Sequence, residues 1–366
     1  MLDFLNLKPD AFGLDISDLS LKIIKLQKRG NVLGLASFGE TEIQPGIIEK
    51  GEIKDEDALV GVIKKTLTTV KGKKLNTKHV IASLPEEKAF LQVIQLPLMK
   101  EEEAKKAVYF EAENHIPMPI DKVYLDSQII PSVSPVRDYG GPLDHLDILV
   151  AALPRSTADP YISVFKKAGL EPLVLEIESQ AISRALIKKG ETLAPLMMID
   201  LGATRTSFII FSGHSLRFTS FCPVCSLKFT QEISNGLGVD LKIAEELKIK
   251  YGIEGKKEGR RILGVLKPAL DEVAKQIKKY LYFYEAHSGH DHLPPDSRHV
   301  EKIFLCGGGA NLKGLTDFLS AEVKIPVEPG NPWINILPKP LKEVPELPYA
   351  ESLRYTTALG LALIDR

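Results

Sequence analysis

A doubled acidic hairpin constrains this chain more than any other feature. Residues 197–221 read as an apolar strand, Met197-Met198-Ile199-Asp200-Leu201, then Gly202-Ala203-Thr204-Arg205-Thr206, a second apolar strand, a Gly213 turn and a third strand. Near the start, residues 12–38 repeat the plan. Phe12-Gly13-Leu14-Asp15-Ile16 leads into Ser17-Asp18-Leu19-Ser20, a strand through Leu26, a Lys28-Arg29-Gly30-Asn31 turn and a third strand to Phe38. Alternating apolar runs joined by Gly-containing turns predict a β-meander in each case. One unit used twice, half a chain apart, predicts a duplicated α/β architecture. Two such tips facing each other would set two carboxylates and two hydroxyl-bearing turns around one site. Glycine lets an anion approach the backbone, and hydroxyls with free amides hold phosphate oxygens. A polyphosphate with Mg²⁺, which prefers oxygen ligands, suits such a site.

At 366 residues the chain exceeds one typical core, so two lobes are expected. Its 47 basic and 48 acidic residues balance, which gives no footprint for nucleic acid or a polybasic membrane anchor. No run of about 18 apolar residues predicts a membrane span. Residues 1–9 carry Asp3 and no basic run, unlike a signal peptide; Leu2, Phe4, Leu5 and Leu7 are expected to pack on the body or fray. Three cysteines suit a reducing compartment. Cys222-Pro223-Val224-Cys225 lacks the second ligand pair that zinc needs and is read as structural.

Along the chain, a helix is predicted over 51–69 and a strand over 79–84. A block of about 85 residues then intervenes, read as strand 88–96, helix 100–115, strand 124–130, strand 146–153 and a helix capped by Ser156-Thr157. The run Glu101-Glu102-Glu103 suits the positive end of a helix dipole better than a metal site. Leu173 to Glu178 resumes the first lobe, and Glu178 sits at a strand-to-helix junction. It is either a first-turn acid or a group that orients water near phosphate. Downstream, Glu245 and Lys248 share one helix face and could simply pair with each other. Residues 261–287 form a long amphipathic helix that Pro268 is expected to kink. His287, His290 and His292 lie in a Gly/Pro loop, a poor scaffold for a metal. Lys302 to Cys306 is a buried-type strand followed by Gly307-Gly308-Gly309-Ala310-Asn311, a nucleotide-friendly turn that is neither a Rossmann fingerprint nor a P-loop.

In this order the Asp15 turn, the Glu178 junction, the Asp200 turn, the Glu245/Lys248 helix and the triple-glycine turn resemble the actin-like ATPase fold. The motifs Gln95-Leu96-Pro97, Phe110-Glu111-Ala112, Ile116-Pro117-Met118-Pro119, Ala168-Gly169-Leu170 and Leu305-Cys306-Gly307 narrow this to the PilM family of type IV pilus assembly proteins. That family is itself similar to FtsA. The resemblance implies two RNase H-like lobes with an inserted 1C subdomain. Lobe I would span 10–84 and 170–194, closed by a helix at 350–366, with the insert at 85–169. Lobe II would comprise 195–235 and 300–349, with an outer part at 236–299. The chain ends at Arg366 just after that last helix, without the membrane-binding helix of FtsA, which favours the PilM family.

By the same resemblance, Asp15, Ser17 and Lys22 form a first phosphate motif, and Asp200, Gly202 and Thr204 a second. Asp15 and Asp200 hold Mg²⁺ through water, and Glu178 orients attacking water. Glu245 and Lys248 contact ribose and base, and Gly307, Gly308 and Gly309 flank adenosine. Asp18 departs from the pattern, since such turns often carry glycine there, and a carboxylate repels phosphate unless it points away. The implied protein is a cytoplasmic ATP-binding scaffold with weak or no ATPase activity. It would bind the N-terminal tail of PilN in a groove between lobe I and the insert, and so sit with other pilus components at the inner membrane. The rivals are an FtsA-like, self-associating filament and a sugar-kinase-like phosphotransferase.

Overall fold

A computed structural model describes residues 9–30, 32–131, 145–255, 257–287, 298–338 and 344–364. The amino-terminal apolar residues and His290 and His292 fall outside that set.

The chain opens with β1 (Ala11–Ile16), β2 (Ser20–Arg29), β3 (Val32–Glu42), a short hairpin of β4 (Ile48–Glu49) and β5 (Glu52–Ile53), α1 (Glu56–Thr69), β6 (Lys71–Gly72) and β7 (His79–Leu84). Next come β8 (Phe90–Pro97), α2 (Glu101–His115), β9 (Val123–Ile129), β10 (His145–Pro154) and α3 (Arg155–Lys167). They are followed by β11 (Glu171–Ile177) and α4 (Glu178–Leu186). The second half runs β12 (Thr192–Leu201), β13 (Thr206–Gly213), β14 (Ser215–Cys222), α5 (Ser226–Leu237), α6 (Leu241–Tyr251) and α7 (Glu258–His287). It ends with β15 (Lys302–Cys306), α8 (Leu315–Val323), β16 (Val327–Pro329), α9 (Tyr349–Ser352) and α10 (Thr356–Ala362).

The duplication is explicit in the sheets. One has the order β11-β7-β1-β2-β3-β6 and another β14-β13-β12-β15-β16. In both, an antiparallel meander is extended by parallel strands on the far side of its first strand: β7 then β11, and β15 then β16. Asp15 is the penultimate residue of β1 and faces Lys22 across its hairpin; Asp200 is the penultimate residue of β12 and faces Ser207. β13 is buried throughout, as expected for a central strand covered on both faces.

Several local readings shift for physical reasons. Helix α1 begins at Glu56, not at 51, because Asp55 caps it by accepting the Ala58 N–H (2.9 Å) and residues 48–53 pair as a hairpin. Helix α3 starts at Arg155 without a Ser156 or Thr157 cap. Although α3 falls within 85–169, its Tyr161, Val164 and Phe165 are buried in the core of the six-stranded sheet. The insert's own sheet is β8-β10-β9, packed on α2 through Ala104, Val108 and Ala112. Helix α7 runs unbroken through Pro268, and its Leu266, Val273 and Ile277 fill the core under the second sheet. Helix α10 lies against β1 and β2 and against α4, so it braces both the strand that carries Asp15 and the helix that starts at Glu178.

Candidate functional site

The two meander tips meet. A cavity of about 470 Å³ lies between the halves, a size typical of small-molecule sites. Its walls include Asp15, Ser17 and Lys22 from the first unit, Asp200, Gly202 and Thr204 from the second, Glu178, and Gly307 and Gly308.

Each tip is held by its own hydrogen bonds. Ser83 on β7 donates its hydroxyl to Asp15 Oδ1 (3.0 Å) and receives the Ile16 N–H (3.0 Å), which pins the end of β1. Ser17 N–H closes the first turn on the Ser20 carbonyl (2.9 Å). Lys22 Nζ donates to Ser20 Oγ (2.6 Å) and lies 3.9 Å from Asp15 Oδ2. In the second tip Gly202 N–H donates to the Arg205 carbonyl (3.0 Å), while the first N–H groups of α5 take the Gly202 and Ala203 carbonyls. Gly307 holds φ +80°, and a Cβ there would stand 2.1 Å from Asp200 Oδ1, so only glycine lets that carboxylate tuck under the turn.

The electrostatics are those of a crowded acid site. Burial first, then Glu178 and Asp15, push the Asp200 carboxyl up to about 7. Burial likewise raises Asp15, partly offset by Lys22. A divalent cation relieves this crowding, so the donor set fits Mg²⁺ with phosphates. Asp18 is out of the way. Its carboxylate accepts the N–H groups of Lys50 (3.2 Å) and Gly51 (3.0 Å) and props the turn before α1.

Three resemblance-based residues lie elsewhere. Glu245 and Lys248 are not among the cavity-lining residues. Lys248 Nζ is buried and donates to Ser226 O, Ser226 Oγ and Thr230 Oγ1, and pairs with Glu245 at 2.7 Å. The i,i+3 pair therefore ties α6 to α5. Gly309 does not line the cavity either; a Cβ there would stand 1.8 Å from a Leu201 side-chain carbon, so its role is packing. Cys222 and Cys225 are buried free thiols, and Cys222 belongs to the same lobe's core.

Residues the sequence reading passed over also line the cavity. Arg354 and Glu40 form an ion pair at its rim (3.1 Å), and Thr356 and Thr357 line it from α10. Arg205, inside the Thr204-Arg205-Thr206 tip, pairs with Glu178 through Nη2 and stands 3.6 Å from Glu87 Oε1 through Nη1. Its signal was a lone cation among small and acidic residues at the tip.

A second cavity, of about 370 Å³, opens between the insert's sheet and the edge of the six-stranded sheet. Leu84, Ala152, Ile162 and Ile177 give it apolar walls, with Tyr124 and Gln180 among its polar groups.

A family model described as type IV pilus assembly protein PilM matches residues 13–366. Among solved structures, the PilM–PilN type IV pilus biogenesis complex superposes with a TM-score of 0.76 at 27% identity, over 98% of this chain and 98% of that one. MreB 5 of Spiroplasma citri bound to AMPPNP superposes with a TM-score of 0.55 at 12% identity, over 97% and 95%, a likeness of fold alone. The cell division protein FtsA of Streptococcus pneumoniae serotype 2 is 24% identical over 257 residues, 66% of this chain and 55% of FtsA. The chain spans about half the length of that relative and less of others it matches. No helix among the described residues is long and apolar enough to cross a membrane.

Proposed function

Because the chain belongs to the PilM family of type IV pilus assembly proteins, we propose that it is an actin-like scaffold whose cleft binds Mg-ATP and whose groove receives the N-terminal tail of a PilN-type protein. One observation carries the nucleotide half: two equivalent aspartate turns, one from each repeat, line a single cavity with Lys22, Gly202 and Gly307. In this reading Lys22, the Ser17 turn and the Gly202–Thr204 turn hold phosphate oxygens, and Asp15 and Asp200 hold the metal's water shell. Mg²⁺ supplies the counter-charge that lets a polyanion sit between acids. Gly307 and Gly308 offer a side-chain-free surface to the nucleoside.

The partner half rests on the likeness to the PilM–PilN complex, which covers 98% of this chain. The apolar groove beside Leu84, Ile162 and Ile177 suits an extended apolar segment, shielded from water on two sides. A tail anchored there would hold the chain at the inner membrane through its partner.

Two titrations test this: fluorescent ATP with Mg²⁺, and a PilN-type tail peptide, each against the wild type and Ile162→Asp. Both ligands are expected to bind the wild type. Ile162→Asp, which places a charge on an apolar wall, is expected to lose about tenfold or more in peptide affinity while keeping ATP. A wild type that binds no ATP would remove the nucleotide half. Phosphoryl transfer to a sugar would replace the scaffold with a kinase, and ATP-dependent pelleting would favour a filament.

A further inference from the structure

We propose that Arg205 is a built-in brake: by clamping Glu178 it keeps the cleft a nucleotide-binding site and prevents it from being a hydrolytic one. This rests on the nucleotide reading above. Glu178 opens α4 and is a carboxylate that lines the cavity without belonging to either aspartate turn. In the nucleotide reading it is the group that would take a proton from water. Arg205 reaches it from the opposite repeat and pairs with it through Nη2–Oε2. A guanidinium on a carboxylate occupies the lone pairs that a general base would have to offer to water.

The clamp is built to stay closed. A second carboxylate, Glu87, stands 3.6 Å from Nη1, and all three side chains are largely shielded, at 15% exposed for Arg205, 10% for Glu178 and 13% for Glu87. Burial alone would weaken the guanidinium's hold on its proton, but Glu178 and Glu87 outweigh it and push Arg205 further up. A planar fork shared by two acids is a geometry suited to arginine. Glu87 follows β7, where the first repeat has Pro85-Glu86-Glu87 and the second has Gly307-Gly308-Gly309 after β15. The acid that anchors the brake thus occupies the turn equivalent to the glycine turn.

Freed of Arg205, Glu178 would accept a proton as the water oxygen bonds to the terminal phosphorus. The bridging P–O bond then breaks, its electron pair leaves with the nucleoside diphosphate, and the proton passes on to the released phosphate.

The test compares wild type, Arg205→Gln, Arg205→Lys and the double variant Arg205→Gln/Glu178→Gln. Single-turnover hydrolysis of Mg-ATP and the affinities for ATP and ADP are measured on each. Arg205→Gln is expected to hydrolyse about 100-fold faster, the low end of what a positioned base contributes. Arg205→Lys, which keeps a cation for Glu178 but loses the fork that also reaches Glu87, is accelerated less than Arg205→Gln, and the double variant loses the gain. The ratio of ATP to ADP affinity is unchanged in Arg205→Gln, because the guanidinium is spent on carboxylates. If Arg205→Gln fails to fold, Arg205→Gln/Glu87→Gln removes the acid it strands, and the same acceleration is expected. Three results overturn the brake: no acceleration, an acceleration that survives loss of Glu178, or a selective loss of ATP over ADP, which would make Arg205 a phosphate ligand. A wild type that binds no nucleotide fails in the binding arm, and the brake falls with the reading beneath it.

Discussion

Gly360→Ala is expected to destabilise the fold by about 3 kcal/mol or more, the upper range for an overpacked contact. A Cβ at that position would stand 1.8 Å from the Ala181 carbonyl oxygen and 2.5 Å from its carbon. The obstacle is backbone of α4, so no rotamer change relieves it, and the two helices must separate. Their crossing is further fixed by Arg184, which donates to the Gly360 carbonyl (3.1 Å) while paired with Glu176. The opposite side of α10 is as tight: a Cβ on Gly13 of β1 would stand 2.4 Å from the Ala358 carbonyl. Prising α10 from α4 therefore also moves Glu178 relative to Asp15. Gly264→Ala is the control, since open space surrounds that helical glycine, and it should stabilise by roughly 0.5–1 kcal/mol. Denaturant unfolding of the two variants reads both effects. A Gly360→Ala protein as stable as wild type would refute the close helix crossing.

The second large effect concerns Glu86 and pH. Glu86 is buried at the foot of the inserted block, where its Oε2 accepts the Ser179 N–H (2.9 Å) and its Oε1 has no well-formed partner among the described residues. Burial, then the nearby Glu178, push its carboxyl from 4.5 up to about 7. The folded state therefore holds this proton more tightly than the unfolded chain. Its stabilising contribution is complete below about pH 4.5 and is lost as pH rises through about 7. The difference is worth about 3 kcal/mol at pH 8. Glu86→Gln keeps an acceptor for Ser179 N–H and carries no charge. It should match wild type near pH 4.5 and exceed it by that amount at pH 8 in urea unfolding. Asp200 titrates in the same region in both proteins, so it cancels from the comparison. Equal stability of the two proteins at pH 8 would mean that Glu86 reaches water.

What could be read from residues alone follows range of interaction. An aspartate closing an apolar strand, then small residues, then another apolar strand is a local pattern, and Asp15 and Asp200 were legible with their turns. So was their equivalence, because a repeat is visible without knowing what it packs against. That both tips face one cavity is a tertiary fact which the repeat only suggested. Asp18 shows the limit: its hydrogen bonds go to backbone 32 and 33 residues away, at Lys50 and Gly51, and no local pattern announces them. Arg205 meets Glu87 over a still longer separation, so its pairing was invisible although its oddity was not. Glu245 and Lys248 pair with each other, as their short-range spacing alone suggests. For α3 the helical period showed which face is apolar but not which sheet would cover it.

In the proposed reading, two turns, one from each repeat, grip a single ligand. A double-mutant cycle on Mg-ATP affinity with Asp15→Asn, Asp200→Asn and the pair tests it most directly. Each single change should weaken binding sharply, and the second should cost much less once the first is made, because both act on one metal–phosphate group. Losses that simply add, or a single variant that binds as tightly as wild type, would show that the turns do not share a ligand.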